Sequence, residues 1–260
     1  MLIDTHCHLD VAAFDSDRPD VLARARSAGV AGIAVPGIDA QGWAGLLDIC
    51  SAEPDLYPAL GLHPVFVERH SSADLDALAR LVADASPVAV GEIGLDFFLR
   101  ELDRDRQIAL FDAQLSIARD AGLPVLLHVR KAHDQALAML RRAQVVGGIA
   151  HAFNGSLQQA QRYLDLGFKF GFGGMLTFER SNKLRALARD LPLDAIVLET
   201  DAPDLTVASH RGERNSPEYL PEVLAALAEI RDEGVPELAR RTTQNAEAVL
   251  GLPSHDSSCG

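Results

Sequence analysis

Short apolar runs alternate with longer amphipathic segments along the whole chain. Each run is nearly all apolar and rich in β-branched residues, which is typical of strands buried on both faces of a parallel sheet. The predicted strands are Leu2–His6, Gly32–Val35, Tyr57–Leu62, Val88–Glu92, Val125–His128, Gly148–His151, Phe168–Phe172 and Ala195–Glu199.

The segments between these strands show helical periodicity and are rich in Ala, Leu, Arg and Asp. They include Arg18–Ala28, Ala73–Asp84, Asp103–Ala121, Asp134–Ala143 and Leu157–Leu166. Eight strand–helix units in 260 residues predict an α/β fold, a single (β/α)8 TIM barrel, for which about 250 residues is typical. An open doubly wound sheet would show the same alternation, but no G-x-G-x-x-G turn follows the first predicted strand.

The interior of the chain contains no low-complexity insert and no Pro/Ser-rich linker, so residues 1–252 are predicted to form one barrel domain. Residues 253–260 show no periodicity and are predicted to form a disordered C-terminal tail. His255 and Cys259 belong to that tail, so we do not count them as ligands.

Charge and cysteine content narrow the class of protein. The chain has 24 Lys and Arg against 37 Asp and Glu, a formal net charge of −13, which disfavours nucleic-acid binding through a broad basic face. A small positive site stays possible. The three cysteines, Cys7, Cys50 and Cys259, are too few and too scattered for a disulfide framework. No basic segment follows Met1 and no apolar run reaches membrane-spanning length, so we expect a cytoplasmic protein with no membrane contact.

Histidines and carboxylates stand at the ends of the predicted strands. His6 and His8 form an H-x-H pair, and residues two apart in an extended chain point to the same side about 7 Å apart, so both imidazoles can bind one ion. The later strand ends add Glu92, His128, His151 and Asp201. Singly, each residue could be a polar rim group or a helix cap. Because the carboxyl ends of barrel strands face one mouth, the six together predict a metal site.

Four imidazoles and two carboxylates are too many ligands for one closed tetrahedral site. They suit two divalent ions with open positions for water and substrate. The nitrogen-rich set favours Zn, Mn, Co or Ni over Mg, although Mg stays a candidate. The lysines are Lys131, Lys169 and Lys183, none of which ends the fourth strand. A carboxylated lysine is therefore excluded there, and Glu92 is the expected bridge between the ions.

Seven short motifs run in order from residue 4 to residue 217. They are Asp4-Thr-His6-Cys-His8, Gly61-Leu-His63-Pro64, Gly91-Glu92-Ile-Gly-Leu-Asp96, His128-Val-Arg130-Lys-Ala132, His151-Ala-Phe153-Asn154-Gly155-Ser156, Glu199-Thr-Asp201-Ala-Pro203 and Arg211-Gly212-x-x-Asn215-x-Pro217. At these residues the chain resembles the TatD family of metal-dependent hydrolases, a branch of the amidohydrolase-type barrels. The resemblance covers essentially the whole chain. Residues 204–210 differ from many relatives, which carry an aromatic residue and extra prolines there. The substrate is therefore the property of the family that the resemblance implies least for this chain.

The resemblance implies a barrel of the metal-dependent hydrolase type, two divalent metals, and phosphodiester hydrolysis, commonly as a DNase or exonuclease. It also implies that the six strand-end residues form the metal shell, and that His63 is similar to the family's substrate-contact histidine. In the expected mechanism the metal pair lowers the pKa of a bridging water, and Asp201 takes its proton as the general base. Glu199 either orients a ligand or is a plain buried carboxylate.

Four donors at strand ends or in loops are expected to hold phosphate oxygens. They are His63, Arg130, Asn154 and Arg211. For Arg130 an ion pair with Asp134 at a helix start is an equal alternative.

The leading hypothesis is a deoxyribonuclease-type hydrolase of ester bonds that acts on DNA or other nucleic-acid ends. The alternative is an amidohydrolase-type enzyme that cleaves a small-molecule C–N or C–O bond, as an amidase, lactonase or deaminase does. A non-catalytic metal-binding or scaffold protein is the third hypothesis. No obligate protein partner is evident from the sequence.

Overall fold

Eight parallel strands lie side by side in the order of the sequence. The computed structural model describes residues 1–254, and its strands are β1 (Leu2–Asp4), β2 (Val30–Pro36), β3 (Leu56–Leu60), β4 (Ala89–Asp96), β5 (Val125–Arg130), β6 (Gly148–Ala150), β7 (Phe168–Phe172) and β8 (Ile196–Leu198). Each strand pairs with the next one in parallel. The amide of Thr5 donates to the carbonyl of Leu198 at 3.0 Å, and the amide of Asp201 donates to that of His6 at 2.8 Å. These bonds join the first strand to the last, so the predicted (β/α)8 barrel is confirmed.

Helices follow the strands around the outside of the barrel. Within residues 1–254 they are α1 (Arg18–Ser27), α2 (Trp43–Ala52), α3 (Ser72–Ala85), α4 (Arg104–Ala121), α5 (His133–Ala143), α6 (Leu157–Leu164), α7 (Asn182–Asp190), α8 (Leu220–Arg231) and α9 (Val235–Leu250). Local sequence sets several of their ends. Ser156 and Gln159 form a capping box at the start of α6, and Gly122 ends α4 in the left-handed conformation.

The core has two parts. The larger part fills the layer between the strands and the helices. The smaller part lies inside the barrel at the amino-terminal end of the strands, where Ile3, Leu126 and Ile149 pack with Ala246 and Leu250 of α9. Since this end is closed by apolar packing, polar side chains that point inward gather at the opposite, carboxyl end.

The predicted strand limits differ from the structure at the residues that matter for the site. Paired strands end at Asp4 and Ala150, before His6 and His151, whereas β4 continues past Glu92 to Asp96. The register of β4 against β5 shifts between Val90 and Ile93, and Glu92 lies in this irregularity. A bulge re-aims a side chain, so Glu92 reaches the mouth from within a strand.

The division into a barrel domain, residues 1–252, and a disordered tail, residues 253–260, stays a prediction. Residues 255–260 lie outside the described part of the chain, and His255 and Cys259 are among them. In residues 1–254, no helix is long and apolar enough to span a membrane.

Candidate metal centre

Glu92 lies at the centre of the site, with only 2% of its side chain exposed. Its Oε2 lies 3.1 Å from His6 Nε2 and 3.4 Å from His8 Nε2. Asp201 Oδ1 lies 3.8 Å and 3.6 Å from the same two nitrogens. Two imidazoles and two carboxylate oxygens therefore face one another on this side of Glu92.

The other oxygen of Glu92 faces a second group of histidines. Glu92 Oε1 lies 3.0 Å from His128 Nδ1, 3.3 Å from His63 Nε2 and 3.9 Å from His151 Nε2. Asp201 Oδ2 lies 3.7 Å from His151 Nε2. Each of the two carboxylates thus turns one oxygen to each group, and the structure brings all six predicted ligands together.

Backbone geometry around β1 explains how neighbouring histidines reach one place. His6 and His8 alternate inward, while Cys7 between them is fully buried in the core outside the barrel. Asp4 accepts hydrogen bonds from the amides of His6 and Thr200, at 3.2 and 3.0 Å, which ties the end of β1 to the residues after β8. Burial raises the pKa of Asp4 to about 7, although these hydrogen bonds oppose the shift.

Three of the histidines have an acceptor beside the ring nitrogen that points away from Glu92 or Asp201. Asp96 Oδ2 lies 3.1 Å from His128 Nε2, Glu199 Oε1 lies 2.9 Å from His151 Nδ1, and the carbonyl of Pro36 lies 3.1 Å from His8 Nδ1. An acceptor at one ring nitrogen fixes the tautomer and leaves the other nitrogen free to bind a metal.

Glu199 therefore has the position expected of a residue that orients His151. Its Oε1 also accepts from the amide of Ala152 at 2.7 Å. A Cβ on Gly171 would lie 1.9 Å from Glu199 Oε2, so only glycine leaves room for this carboxylate.

Charge in the site fits a cation. Burial alone would raise the pKa of Glu92, but the surrounding imidazoles of His63 and His6, together with hydrogen bonds from His128 and His6, lower it well below its usual range. Burial would lower the pKa of His151, but Glu199 and Asp201 raise it to about 10. The carboxylates thus stabilise positive charge among these imidazoles. Nitrogen and oxygen donors in such a setting are the ligands that Zn, Mn, Co and Ni prefer.

His63 lies deeper in the site than its predicted role requires. It is buried beside Glu92. With Glu92 and His128 it forms one of three groups, among residues 1–254, whose ligand atoms are close enough to hold a metal ion. Burial lowers the pKa of His63 to about 4, against the charge of Glu92, so its imidazole is neutral. A neutral imidazole can bind a metal or accept a hydrogen bond from substrate.

The other three predicted substrate contacts are placed differently. A cavity of about 1090 Å³ opens above the metal centre, and Arg130 and Asn154 line it, whereas Arg211 is exposed on the loop after β8 and does not. Arg130 Nη1 lies 3.3 Å from Asp96 Oδ2, and its guanidinium stacks 4.3 Å from the Phe98 ring centre. Its ion-pair partner is therefore Asp96 and not Asp134. Substrate binding by these residues stays a prediction.

Two buried glutamines on α4 hold the backbone around the site. Gln114 accepts from the amide of Leu62 at 2.7 Å and donates to its carbonyl at 3.1 Å, directly before His63. Gln107 does the same for Asp96, at 2.8 and 3.1 Å. Gln107 and Gln114 were missed from the sequence, and Asp96 was identified only as part of a motif, with no role assigned to it. For the two glutamines, the local signal was a polar residue on a helix face that should be apolar. For Asp96, it was the position four residues after Glu92 on the same strand.

Gln114→Leu is expected to lower the free energy of unfolding by at least about 2 kcal/mol, because it leaves two buried backbone groups of Leu62 without partners. Urea denaturation measures the change. The matched control is Gln135→Leu on the exposed face of α5, where the expected change is within about 0.5 kcal/mol. Equal stability of the two variants would show that Gln114 does not hold this segment.

An eight-stranded parallel barrel with histidines and carboxylates gathered at the carboxyl ends of its strands defines a class, the metal-dependent hydrolase barrels. Comparison with known proteins agrees. A family model described as TatD related DNase matches residues 3–251. The chain is therefore a metal-dependent hydrolase that belongs to the TatD family, as the sequence motifs predicted.

Individual relatives match over nearly their whole length. The uncharacterized metal-dependent hydrolase YjjV of Escherichia coli K12 is 42% identical over 254 residues, which cover 96% of this chain and 98% of that protein. Its crystal structure has a TM-score of 0.93, with 97% of this chain and 98% of that chain covered. A 3'-5' ssDNA/RNA exonuclease TatD of Klebsiella pneumoniae strain 342 is 34% identical over 258 residues, which cover 96% and 98% of the two chains.

Proposed function

We propose that this protein hydrolyses phosphodiester bonds with two divalent metal ions, as a DNase or exonuclease that acts at nucleic-acid ends. The observation that carries the proposal is the pair of carboxylates Glu92 and Asp201. Each turns one oxygen toward His6 and His8 and the other toward His151. Carboxylates shared between two groups of ligands suit a pair of ions better than a single ion. Zn, Mn, Co or Ni fits the nitrogen-rich set better than Mg does.

Bound ions would polarise a phosphoryl oxygen and make a water nucleophilic at neutral pH. The side chains of this chain have separate tasks. The residues that would hold the ions are His6, His8, His128, His151, Glu92 and Asp201. The side chain of Asp201 is 15% exposed, whereas that of Glu92 is 2% exposed. Of the two shared carboxylates, Asp201 is therefore more accessible to water and substrate in the cavity. Asp201 takes the proton of the attacking water at a carboxylate oxygen.

The proposed substrate is the end of a DNA strand or of another nucleic acid. Support comes from the relative in Klebsiella pneumoniae that is named a 3'-5' ssDNA/RNA exonuclease. The net charge of −13 disfavours long tracking along a polyanion. Contacts with a few nucleotides at the mouth, through His63, Arg130 and Asn154, fit both facts better than a broad interface does.

The test is metal removal followed by re-addition of each candidate ion. The substrates are methyl p-nitrophenyl phosphate, a panel of lactones and amides, and single-stranded DNA and RNA labelled at either end. Chelation is expected to lower diester hydrolysis by at least about a hundredfold, and one or more of the ions should restore it. Labelled strands should shorten from one end. Turnover of a lactone or amide without any diester hydrolysis would overturn the proposal in favour of the amidohydrolase alternative.

We also propose a cytoplasmic location. Cys7 and Cys50 are both buried and free, which agrees with a reducing compartment.

A further inference from the structure

The loops that follow β7 and β8 present two apolar side chains to the cavity above the metal centre. Met175 is 40% exposed and Leu205 is 42% exposed, and both line this cavity. Large exposed apolar side chains are few in residues 1–254, so two of them in one cavity require an explanation. An apolar surface beside a few convergent polar groups is the usual composition of a small-molecule pocket.

The two loops form one unit. A Cβ on Gly174 would lie 2.2 Å from the carbonyl oxygen of Leu205, so the backbones are in direct contact there. Thr177 Oγ1 donates to the carbonyl of Gly174 at 2.7 Å and accepts from the amide of Ala208 at 2.8 Å. These contacts fix the backbones of the two segments that carry Met175 and Leu205 against each other. A fixed apolar surface binds a flat group without a further entropic cost of ordering the loops.

A positively charged side chain, Arg180, lies further along the segment that carries Met175. Arg180 is exposed, lines the same cavity, and within residues 1–254 has no carboxylate at ion-pair distance. Its neighbour Lys183 donates instead to the carbonyl of Asn154. An unpaired guanidinium in the same cavity as an apolar surface matches a group that carries both a flat ring and a phosphate.

We propose that Met175 and Leu205 form an apolar pad for the nucleobase next to the scissile phosphate, and that Arg180 contacts the following phosphate of the same strand. This inference rests on the proposed phosphodiesterase function and names the part of the substrate that lies outside the metal centre. It makes the protein selective for diesters that carry a base over diesters that do not.

Calorimetric titration of the metal-loaded protein tests the pad. Thymidine 5'-monophosphate is expected to bind about tenfold more tightly than 2-deoxyribose 5-phosphate, because only the nucleotide has a base to bury. In the double variant Met175→Gln, Leu205→Asn the ratio should fall to about twofold or less. Asparagine suits position 205, where φ is +48°. The control Leu157→Gln alters an exposed leucine that does not line the cavity and should keep the full ratio.

Salt dependence tests Arg180. For a single-stranded oligonucleotide, the slope of log KM against log salt should become shallower by about 0.7 in Arg180→Gln, as expected for one lost phosphate contact. Arg141→Gln, on the exposed face of α5 and away from the cavity, should leave the slope unchanged.

The same samples, assayed with methyl p-nitrophenyl phosphate, separate the two proposals. Absence of hydrolysis by the metal-loaded wild type would overturn the proposed function, whatever the titration gives. Two other results would overturn the pad but not the proposed phosphodiesterase function, provided that the diester is hydrolysed. One is equal affinity of the wild type for thymidine 5'-monophosphate and 2-deoxyribose 5-phosphate. The other is an affinity ratio that is unchanged in the double variant. An unchanged salt slope in Arg180→Gln would remove Arg180 from the subsite.

Discussion

Asp201→Asn is expected to lower kcat for a small phosphodiester by about a thousandfold, while the protein stays folded. Positioned general bases contribute about a hundredfold to ten thousandfold, and an amide cannot take up the proton. The two oxygens of Asp201 lie 3.6 to 3.8 Å from ring nitrogens of His6, His8 and His151, so the substitution also removes one shared carboxylate from the proposed metal shell.

Kinetics, metal analysis and thermal unfolding of Asp201→Asn are measured together. The control is Asp204→Asn, which alters an exposed aspartate three residues further along the same loop and should retain near-normal kcat. If Asp201→Asn keeps more than a tenth of the wild-type kcat with its metal bound, Asp201 does not act as the base.

Glu92→Gln is expected to reduce the bound metal to one ion or fewer per chain and to lower kcat by at least about a thousandfold. In the part of the chain that the structure describes, Glu92 belongs to two of the three groups able to hold a metal, one with His6 and His8 and one with His63 and His128. Glutamine offers one oxygen and one NH2 group, so it can serve only one of the two groups.

Elemental analysis after dialysis and titration with manganese measure this loss. Glu199→Gln is the matched comparison, since it changes another buried carboxylate, which lies 2.9 Å from His151 Nδ1 and belongs to the candidate metal group with His6 and His151 but not to either group that contains Glu92. Its expected cost is smaller, about tenfold to a hundredfold in metal affinity or activity. Two ions retained per chain in Glu92→Gln would contradict a bridging role for Glu92.

The sequence alone predicted the barrel and the family. Strands buried on both faces must be apolar runs, and each must be followed by a helix that covers it, so the alternation is visible without coordinates. The six candidate ligands were visible for a similar reason, because polar groups near the carboxyl ends of buried strands stand at the one end of a barrel where water has access.

Tertiary structure decided how those residues cooperate. Gln114 and Leu62 are 52 positions apart, and no local periodicity reports that a helix glutamine completes the backbone of a distant loop. The same holds for the contact of Gly174 with the carbonyl of Leu205 and for the exposure of Arg211 outside the cavity. The sequence of this protein thus determined which polar groups lie near the carboxyl ends of the strands, because the apolar runs beside them are buried. Only the closed barrel decided which atoms face each other, because that depends on the register of eight strands and the packing of loops that are distant along the chain.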